Sequence, residues 1–190
     1  MTFNVENLFD TRHDPGKNDV TFLPLALKQT EEHREACGKI EVEHWRNQCL
    51  HWDWNEQILD RKLAVVAAAI LQVGNGRGPD ILALQEVENL GVLERLRTEH
   101  LAPAGYAPAI LIEGNDDRGI DPAFLTRFEL AGKPVLHQIP FEGASEERVA
   151  DTRGILEATF RLPGGALLTG YAVHSIWRSE ERRVGKECRS

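Results

Sequence analysis

The chain has 190 residues, of which 42% are hydrophobic and 27% are charged, and its formal net charge is −8 at pH 7. That length is enough for one domain with a buried core, and the composition is ordinary for a globular protein. The net acidity argues against non-specific affinity for nucleic acid over the whole surface, and no stretch approaches the ~20 apolar residues of a membrane-spanning helix.

The first half of the chain predicts an alternation of strands and helices. A short strand over Thr2–Val5 is followed by turn-rich and polar sequence, which we interpret as an insertion near 11–54 with some helix. Apolar residues recur at helical spacing over Asn55–Val73. The apolar run Ile81–Val87 predicts a buried strand, and Leu90–Leu101 predicts a second amphipathic helix.

The second half predicts strands in series, separated by the turn signals EGNDDRG, AGKP and PGG. The predicted strands are Ala107–Ile112, Asp121–Arg127, Pro134–Ile139, Gly154–Arg161 and Ala166–His174. Alternating strands and helices followed by consecutive strands indicate two packed sheets with helices outside, which is an α/β (α+β) sandwich.

Three cysteines occur in the sequence, Cys37, Cys49 and Cys188, and no CxxC spacing is present. A structural zinc site is therefore disfavoured. Cys37 and Cys49 would pair if the protein were exported, but two free thiols in a reducing cytosol are slightly favoured. The chain opens without a charged n-region or an apolar h-region, and we expect upstream sequence to be missing. The compartment thus stays open between cytoplasmic and exported.

The last thirteen residues, 178–190, differ in character from the rest of the chain. The segment RSEERRVGKECRS carries five basic and three acidic residues without apolar periodicity. It looks like the translation of a short-read sequencing adapter, and we expect it to be non-native and to lie outside the fold. A basic tail that binds nucleic acid is the alternative. On the first interpretation, the natural chain continues past Trp177.

The buried strand Ile81–Val87 carries Gln85 and Glu86 at its end. A buried carboxylate is costly unless a cation or a hydrogen bond compensates its charge. A strand that delivers a carboxylate to the edge of a sheet, just before a loop, is a common way to hold a metal. The pattern predicts a metal ligand at Glu86, and the alternative is a carboxylate stabilised by the dipole of the helix that begins at Leu90.

Further polar motifs lie at the ends of the other predicted strands. They are FNVENLFD with Asn4, DDRGIDPAFLTR with Arg118 and Asp121, DTRGILEATF with Arg153, and LLTGYAVHS with His174. Together with ALQEVEN, their order and spacing resemble the endonuclease/exonuclease/phosphatase superfamily, which includes DNase I. The resemblance covers most of residues 2–175. It implies a DNase I-like fold in a partial domain over 1–177, truncated at the C-terminus.

The resemblance also implies roles for four of these residues. Glu86 would bind a divalent cation, Mg²⁺ or Mn²⁺, and Asn4 would hydrogen-bond the scissile phosphate or help to seat the metal. His174 would contact the phosphate and transfer a proton, while Asp121 would pair with His174 and orient it. Each residue also has a structural interpretation: Asn4 caps a turn, Asp121 starts a turn before Pro122, and His174 is an ordinary strand histidine.

Two arginines complete the predicted site. By the resemblance, Arg153 and Arg118 would bind phosphate oxygens through the planar guanidinium fork. Arg118 could equally pair with Asp116 or Asp117 at the surface, and Arg153 could be an exposed strand residue.

The resemblance implies a divalent-metal-dependent phosphodiester hydrolase, with nucleic acid or another phosphodiester as the binding partner. Net acidity does not exclude a nuclease, because cations can neutralise the site locally. The alternatives are a phosphomonoesterase, a phospholipid phosphodiesterase or a non-catalytic binding module on the same scaffold. The family's downstream Gly-Asp-Phe-Asn motif and its C-terminal Asp-His pair do not follow His174. We therefore expect the 190-residue chain to be inactive by itself.

Overall fold

The structure is a computed structural model that describes residues 1–139 and 153–174. The expected non-native tail over 178–190 lies outside the described residues, as does the end of the predicted domain over 1–177. The predicted insertion near 11–54 and all of the predicted helices and strands lie within them.

Four α-helices are described, and three of them begin at a side-chain cap. The helices are α1 (Glu31–Gly38), α2 (Glu43–His51), α3 (Glu56–Leu71) and α4 (Leu90–Arg95). Thr30, Asn55 and Asn89 each accept a hydrogen bond from a backbone N–H in the first turn of the helix that follows. Within the described ranges, no helix is long and apolar enough to cross a membrane.

In the part of the chain that the structure describes, eight strands form two sheets. They are β1 (Thr2–Leu8), β2 (Ile81–Val87), β3 (Ile110–Leu111), β4 (Asp121–Thr126), β5 (Glu129–Leu130), β6 (Val135–His137), β7 (Ile155–Arg161) and β8 (Leu167–Val173). The first sheet has the order β1-β2-β4-β3, and β1 runs parallel to β2. In the second sheet, β6 pairs with the beginning of β7 and β5 pairs with its end. Strand β8 pairs with β7 along its whole length.

The alternation of side chains along β2 explains how the layers pack. Leu82 and Leu84 face a core that includes Leu63 of α3 and Leu93 of α4. Ile81 and Ala83 pack on the other side, against a second core between the two sheets that contains Phe124, Leu156 and Phe160. The predicted architecture of two packed sheets with helices outside is therefore confirmed.

The insertion folds into two helices that a disulfide joins. Cys37 of α1 and Cys49 of α2 are bonded, with their Cα atoms 5.6 Å apart, and both are fully buried. The prediction of two free thiols is therefore wrong. That prediction was drawn from compartment alone, whereas the pairing depends on how α1 packs on α2, which cysteine spacing does not reveal.

Reducing this disulfide should lower the free energy of unfolding by about 3 kcal/mol, because the unfolded chain regains the freedom that the closed loop removes. Urea unfolding with and without a thiol reductant measures the change. A Cys37→Ser/Cys49→Ser variant is the control and should not respond to the reductant. An unchanged urea midpoint for the wild-type chain would contradict the expectation.

Candidate functional site

Two irregularities in neighbouring strands define one end of the first sheet. The register of β1 against β2 shifts after Asn4, and the register of β2 against β4 shifts after Leu84. Glu6, Asn7 and Glu86 have φ of 54°, 63° and 66°, a backbone region that residues with side chains rarely adopt. Bulges of this kind occur next to functional sites, where they redirect side chains.

The Glu86 carboxylate lies at the centre of this region, with its side chain 15% exposed. Its Oε1 accepts a hydrogen bond from Asn4 Nδ2 at 3.1 Å, and its Oε2 accepts one from the Asn7 backbone N–H at 2.9 Å. His174 Nε2, at the end of β8, lies 3.3 Å from Oε1. The structure therefore brings together Asn4, Glu86 and His174, which the sequence predicted at three separate strand ends.

His174 is held from its other side by a buried ion pair. Arg153 Nε donates to Asp116 Oδ2 at 2.6 Å, and both side chains are almost fully buried. A terminal nitrogen of the same guanidinium contacts His174 Nδ1. Because arginine only donates, Nδ1 must carry a lone pair, and the proton of the neutral ring lies on Nε2, towards Glu86. Burial, together with the positive charge of Arg153, lowers the pKa of His174.

Asp121 does not make the predicted pair with His174. Its Oδ2 accepts a hydrogen bond from the Gly114 N–H at 2.9 Å, and its Oδ1 has no hydrogen-bond partner among the described residues. Both nitrogens of His174 instead meet Arg153 and Glu86. A Cβ on Gly114 would lie 2.6 Å from Asp121 Oδ1, so the approach requires glycine. The described contacts therefore contain no direct Asp121–His174 pair, and an orienting or catalytic role for Asp121 stays a prediction.

Replacing Asp121 by asparagine should stabilise the protein at neutral pH but not in acid. Burial raises the pKa of Asp121 to about 6, so the folded state binds the proton more tightly than the unfolded state. The wild-type protein therefore loses stability as pH rises from about 4 through about 6. At pH 7.5 the free energy of unfolding of Asp121→Asn should exceed that of the wild type by roughly 1–3 kcal/mol. Urea unfolding at pH 4 and 7.5 measures this difference, with the exposed Glu129→Gln as control. An equal effect at both pH values would contradict the assignment.

Arg118 lies at the edge of the site, where it is near Asp116 as one sequence interpretation expects, while its binding of phosphate stays a prediction. Its side chain is 40% exposed, with Nε 4.0 Å from Asp116 Oδ1. A terminal nitrogen of Arg118 donates to Asn7 Oδ1 at 3.4 Å. Arg118 therefore keeps exposed donor groups near the Glu86 region, whereas the guanidinium of Arg153 is enclosed by the protein.

Two functional candidates were missed from the sequence. Asp116 is 3% exposed and organises Arg153, although its sequence context, NDDRG, is typical of an exposed turn. Lys62 of α3 donates from Nζ to the Glu6 carbonyl at 3.1 Å and is attracted by Glu86. Helical periodicity predicts that Lys62 lies on a helix next to buried Leu63. It does not show which strand end the Lys62 side chain reaches.

A further buried carboxylate lies just beyond Glu86. Glu88 is 2% exposed, and its Oε2 accepts the Asp10 backbone N–H at 2.6 Å. Burial raises the pKa of Glu88 to about 8. The side chain thereby fixes the start of the loop after β1 to the end of β2, behind the bulges.

The chain belongs to the Endonuclease/Exonuclease/phosphatase family, whose sequence profile matches residues 39–168. The predicted superfamily is thus confirmed. Members of this family are generally hydrolases of phosphoesters, and they commonly use divalent metals.

Among solved structures, the chain is similar to one titled "Crystal Structure of SmcL", with 15% sequence identity and a TM-score of 0.42. The alignment covers 64% of this chain and 46% of that chain, so this chain spans less than half the length of that protein. No curated protein matches the chain.

Proposed function

We propose that this chain carries the Glu86–His174 part of the site of a divalent-metal-dependent phosphodiester hydrolase that acts on nucleic acid. The observation that supports the proposal most directly is the 3.3 Å separation of the Glu86 carboxylate and the His174 imidazole at adjoining strand ends. Phosphodiester hydrolysis needs groups that stabilise phosphoryl charge and groups that handle protons. Glu86 would serve the first need by holding a divalent cation, and His174 would serve the second.

The donor set around Glu86 fits Mg²⁺ or Mn²⁺. Mg²⁺ prefers oxygen ligands, keeps several waters and is usually bound by one or two carboxylates. Glu86 supplies a carboxylate that is largely buried, and Asn4 supplies an amide oxygen whose hydrogen bond from the Glu6 N–H, at 2.8 Å, fixes its position. Glu86 and Asn4 would hold the ion, which when bound would polarise a phosphoryl oxygen.

The other residues divide into those that would contact the substrate and those that position them. Neutral His174 would donate its Nε2–H to a phosphate oxygen, since Arg153 occupies Nδ1. Arg118 retains exposed donors and would bind a non-bridging phosphate oxygen. Arg153 would bind phosphate less directly than predicted from the sequence, because Asp116 holds its Nε; its role here is to position His174.

The available positive charge favours a diester over a monoester. A phosphodiester carries a single negative charge, whereas a phosphomonoester carries almost two near neutral pH. Of the two arginines predicted to bind phosphate, Arg153 is neutralised by Asp116 and Arg118 remains partly exposed. Half-buried Lys62 is already attracted by Glu6 and Glu86.

The test requires a chain that contains residues 1–177 together with the family's Gly-Asp-Phe-Asn motif. With Mg²⁺ it should cleave plasmid DNA or RNA, and EDTA should abolish cleavage. Phosphatidylcholine vesicles and p-nitrophenyl phosphate test the phospholipid and monoester alternatives. Turnover confined to either of these would overturn the proposed substrate, and no turnover on any of them would favour a binding module.

The 190-residue chain itself should show no measurable turnover, even with saturating Mg²⁺. Catalytic groups act as a unit, and a partial set loses far more than its share of the rate. EDTA-sensitive turnover by this chain would show that the residues described here suffice without the downstream motifs.

A further inference from the structure

The disulfide between α1 and α2 belongs to a three-residue cluster of potential metal ligands. His33 and Cys37 are four residues apart on α1 and therefore lie on the same helix face. Cys49 faces them from α2. One ligand atom from each of the three residues lies within 4.8 Å of the other two, and all three residues are buried. The cluster is separate from the strand ends that carry Glu86 and His174.

We propose that, when the Cys37–Cys49 bond is reduced, His33, Cys37 and Cys49 bind a Zn²⁺ ion that replaces the disulfide as the link between α1 and α2. A histidine nitrogen and two thiolates are a preferred set of zinc ligands. The absence of a CxxC motif conceals this set in the sequence, because helical spacing on α1 and packing of α2 bring the ligands together.

A small thiol can serve as the reductant of the Cys37–Cys49 disulfide. Two thiols reduce the disulfide, giving one small-molecule disulfide and the two protein thiols of Cys37 and Cys49. Zn²⁺ then displaces a proton from each thiol, and both protons pass to the buffer. Thiolate is the form of cysteine that ligates metals, so this step is favoured as pH rises.

The charge of the complex suits its buried position. Two thiolates and one Zn²⁺ sum to zero, and neutral His33 adds no charge. Burying a neutral complex avoids the large cost of an isolated buried ion. By contrast, a carboxylate cluster in the same place would carry uncompensated charge whenever the ion was absent.

His33 is already oriented towards the sulfur atoms. Its Nε2 lies 3.2 Å from Cys37 Sγ and donates to the Cys49 carbonyl at 3.0 Å. Binding zinc through Nε2 requires the ring proton to move to Nδ1, which frees the Nε2 lone pair. Three protein ligands leave one position of a tetrahedral site for water.

The experiment uses the full 190-residue chain carrying Cys188→Ser, which removes the third thiol of the sequence. The reduced protein is titrated with Zn²⁺ against a chromophoric chelator and, separately, with Co²⁺. We expect the reduced chain to bind one equivalent of Zn²⁺ more than the Cys37→Ser/Cys49→Ser variant, in which the separate candidate cation site at Glu86 remains. Co²⁺ should give the near-ultraviolet charge-transfer absorption of thiolate ligands. Zn²⁺ should also restore the urea midpoint that reduction lowers.

Three variants separate a zinc site from general thiol affinity. Cys37→Ser/Cys49→Ser should lose the thiolate-bound equivalent of Zn²⁺, and His33→Ala should weaken its binding at least tenfold. Replacing His44, an exposed histidine of α2, by alanine should leave this binding unchanged. Formation of the disulfide in oxidised His33→Ala checks that this variant folds. Binding by the reduced chain that does not exceed that of the double-serine variant would overturn the proposal. Unchanged affinity in His33→Ala would overturn the three-ligand site.

Discussion

In a chain that contains residues 1–177 together with the family's Gly-Asp-Phe-Asn motif, replacing Glu86 with glutamine should reduce Mg²⁺-dependent hydrolysis by about 1,000-fold, equivalent to roughly 4 kcal/mol of transition-state stabilisation. Glutamine has nearly the same shape as glutamate and keeps an oxygen that can accept the Asn7 N–H, but it lacks the negative charge that attracts a cation. Initial rates at saturating Mg²⁺ measure the loss.

The matched control for this prediction is Glu129→Gln. Glu129 is a highly exposed carboxylate on the other sheet, 3.9 Å from Arg161, and its removal should leave the rate unchanged. Both variants should keep a urea midpoint close to that of the wild-type chain. If Glu86→Gln retained a rate within a few-fold of wild type, Glu86 would have a structural role and the proposed metal ligand would be wrong.

Removing Asp116 should have the largest effect on stability. Asp116→Ala leaves the guanidinium of Arg153 buried without its carboxylate, and breaking a buried ion pair in this way costs about 3–5 kcal/mol. Asp116 Oδ1 also accepts hydrogen bonds from the backbone N–H groups of Arg118 and Ile120, at 3.0 and 3.4 Å. The substitution removes this acceptor as well. Urea unfolding at neutral pH measures the loss.

Two further variants separate the cost of leaving the Arg153 charge uncompensated from the cost of losing the Arg118 contact. Arg118→Ala should cost less than about 1 kcal/mol, because the Arg118–Asp116 contact is exposed and 4.0 Å long. Asp116→Ala combined with Arg153→Met should be more stable than Asp116→Ala alone, since the uncompensated charge is gone. A cost below about 1 kcal/mol for Asp116→Ala would mean that water already screens this pair.

The sequence predicted strands well where the apolar pattern was long. Ile81–Val87 agrees with β2 at both ends, and Gly154–Arg161 with β7 to within one residue. Both strands pack between layers, so their composition is dominated by burial. The strand over Ala107–Ile112 shrinks to Ile110–Leu111, which pairs with Ala123 and Phe124 of β4. Upstream, the Ala107 N–H donates a separate hydrogen bond to the Thr126 carbonyl of β4 at 2.8 Å.

Helix continuity was harder to predict than helix position. The predicted helix over Leu90–Leu101 begins at Leu90, but it gives way after Arg95 to a π-helical turn over Leu96–His100. Leu93, Leu96 and Leu101 are all fully buried, so the apolar pattern was read correctly. Periodicity locates the buried face but does not distinguish α from π hydrogen bonding.

Strand ends made part of the site predictable. Asn4 and Glu86 lie within β1 and β2, next to the register shifts, and His174 directly follows β8. The parallel pairing of β1 and β2 brings Asn4 and Glu86 together. The positions of Asp116 and Lys62 follow from a loop and a helix that reach the site through space, which no local pattern encodes. The positive φ of Glu86 was equally hidden, since glutamate gives no local signal for it.

Binding of Mn²⁺ to the 190-residue chain, measured by electron paramagnetic resonance, tests the metal-binding role of Glu86 without requiring turnover. Free Mn²⁺ should fall as wild-type protein is added, corresponding to one bound ion per chain. Glu86→Gln should weaken the affinity at least ~10-fold, or about 1.4 kcal/mol, while Glu129→Gln leaves it unchanged. Equal Mn²⁺ affinity in the wild-type and Glu86→Gln chains would contradict the assignment of Glu86 as the metal-binding carboxylate.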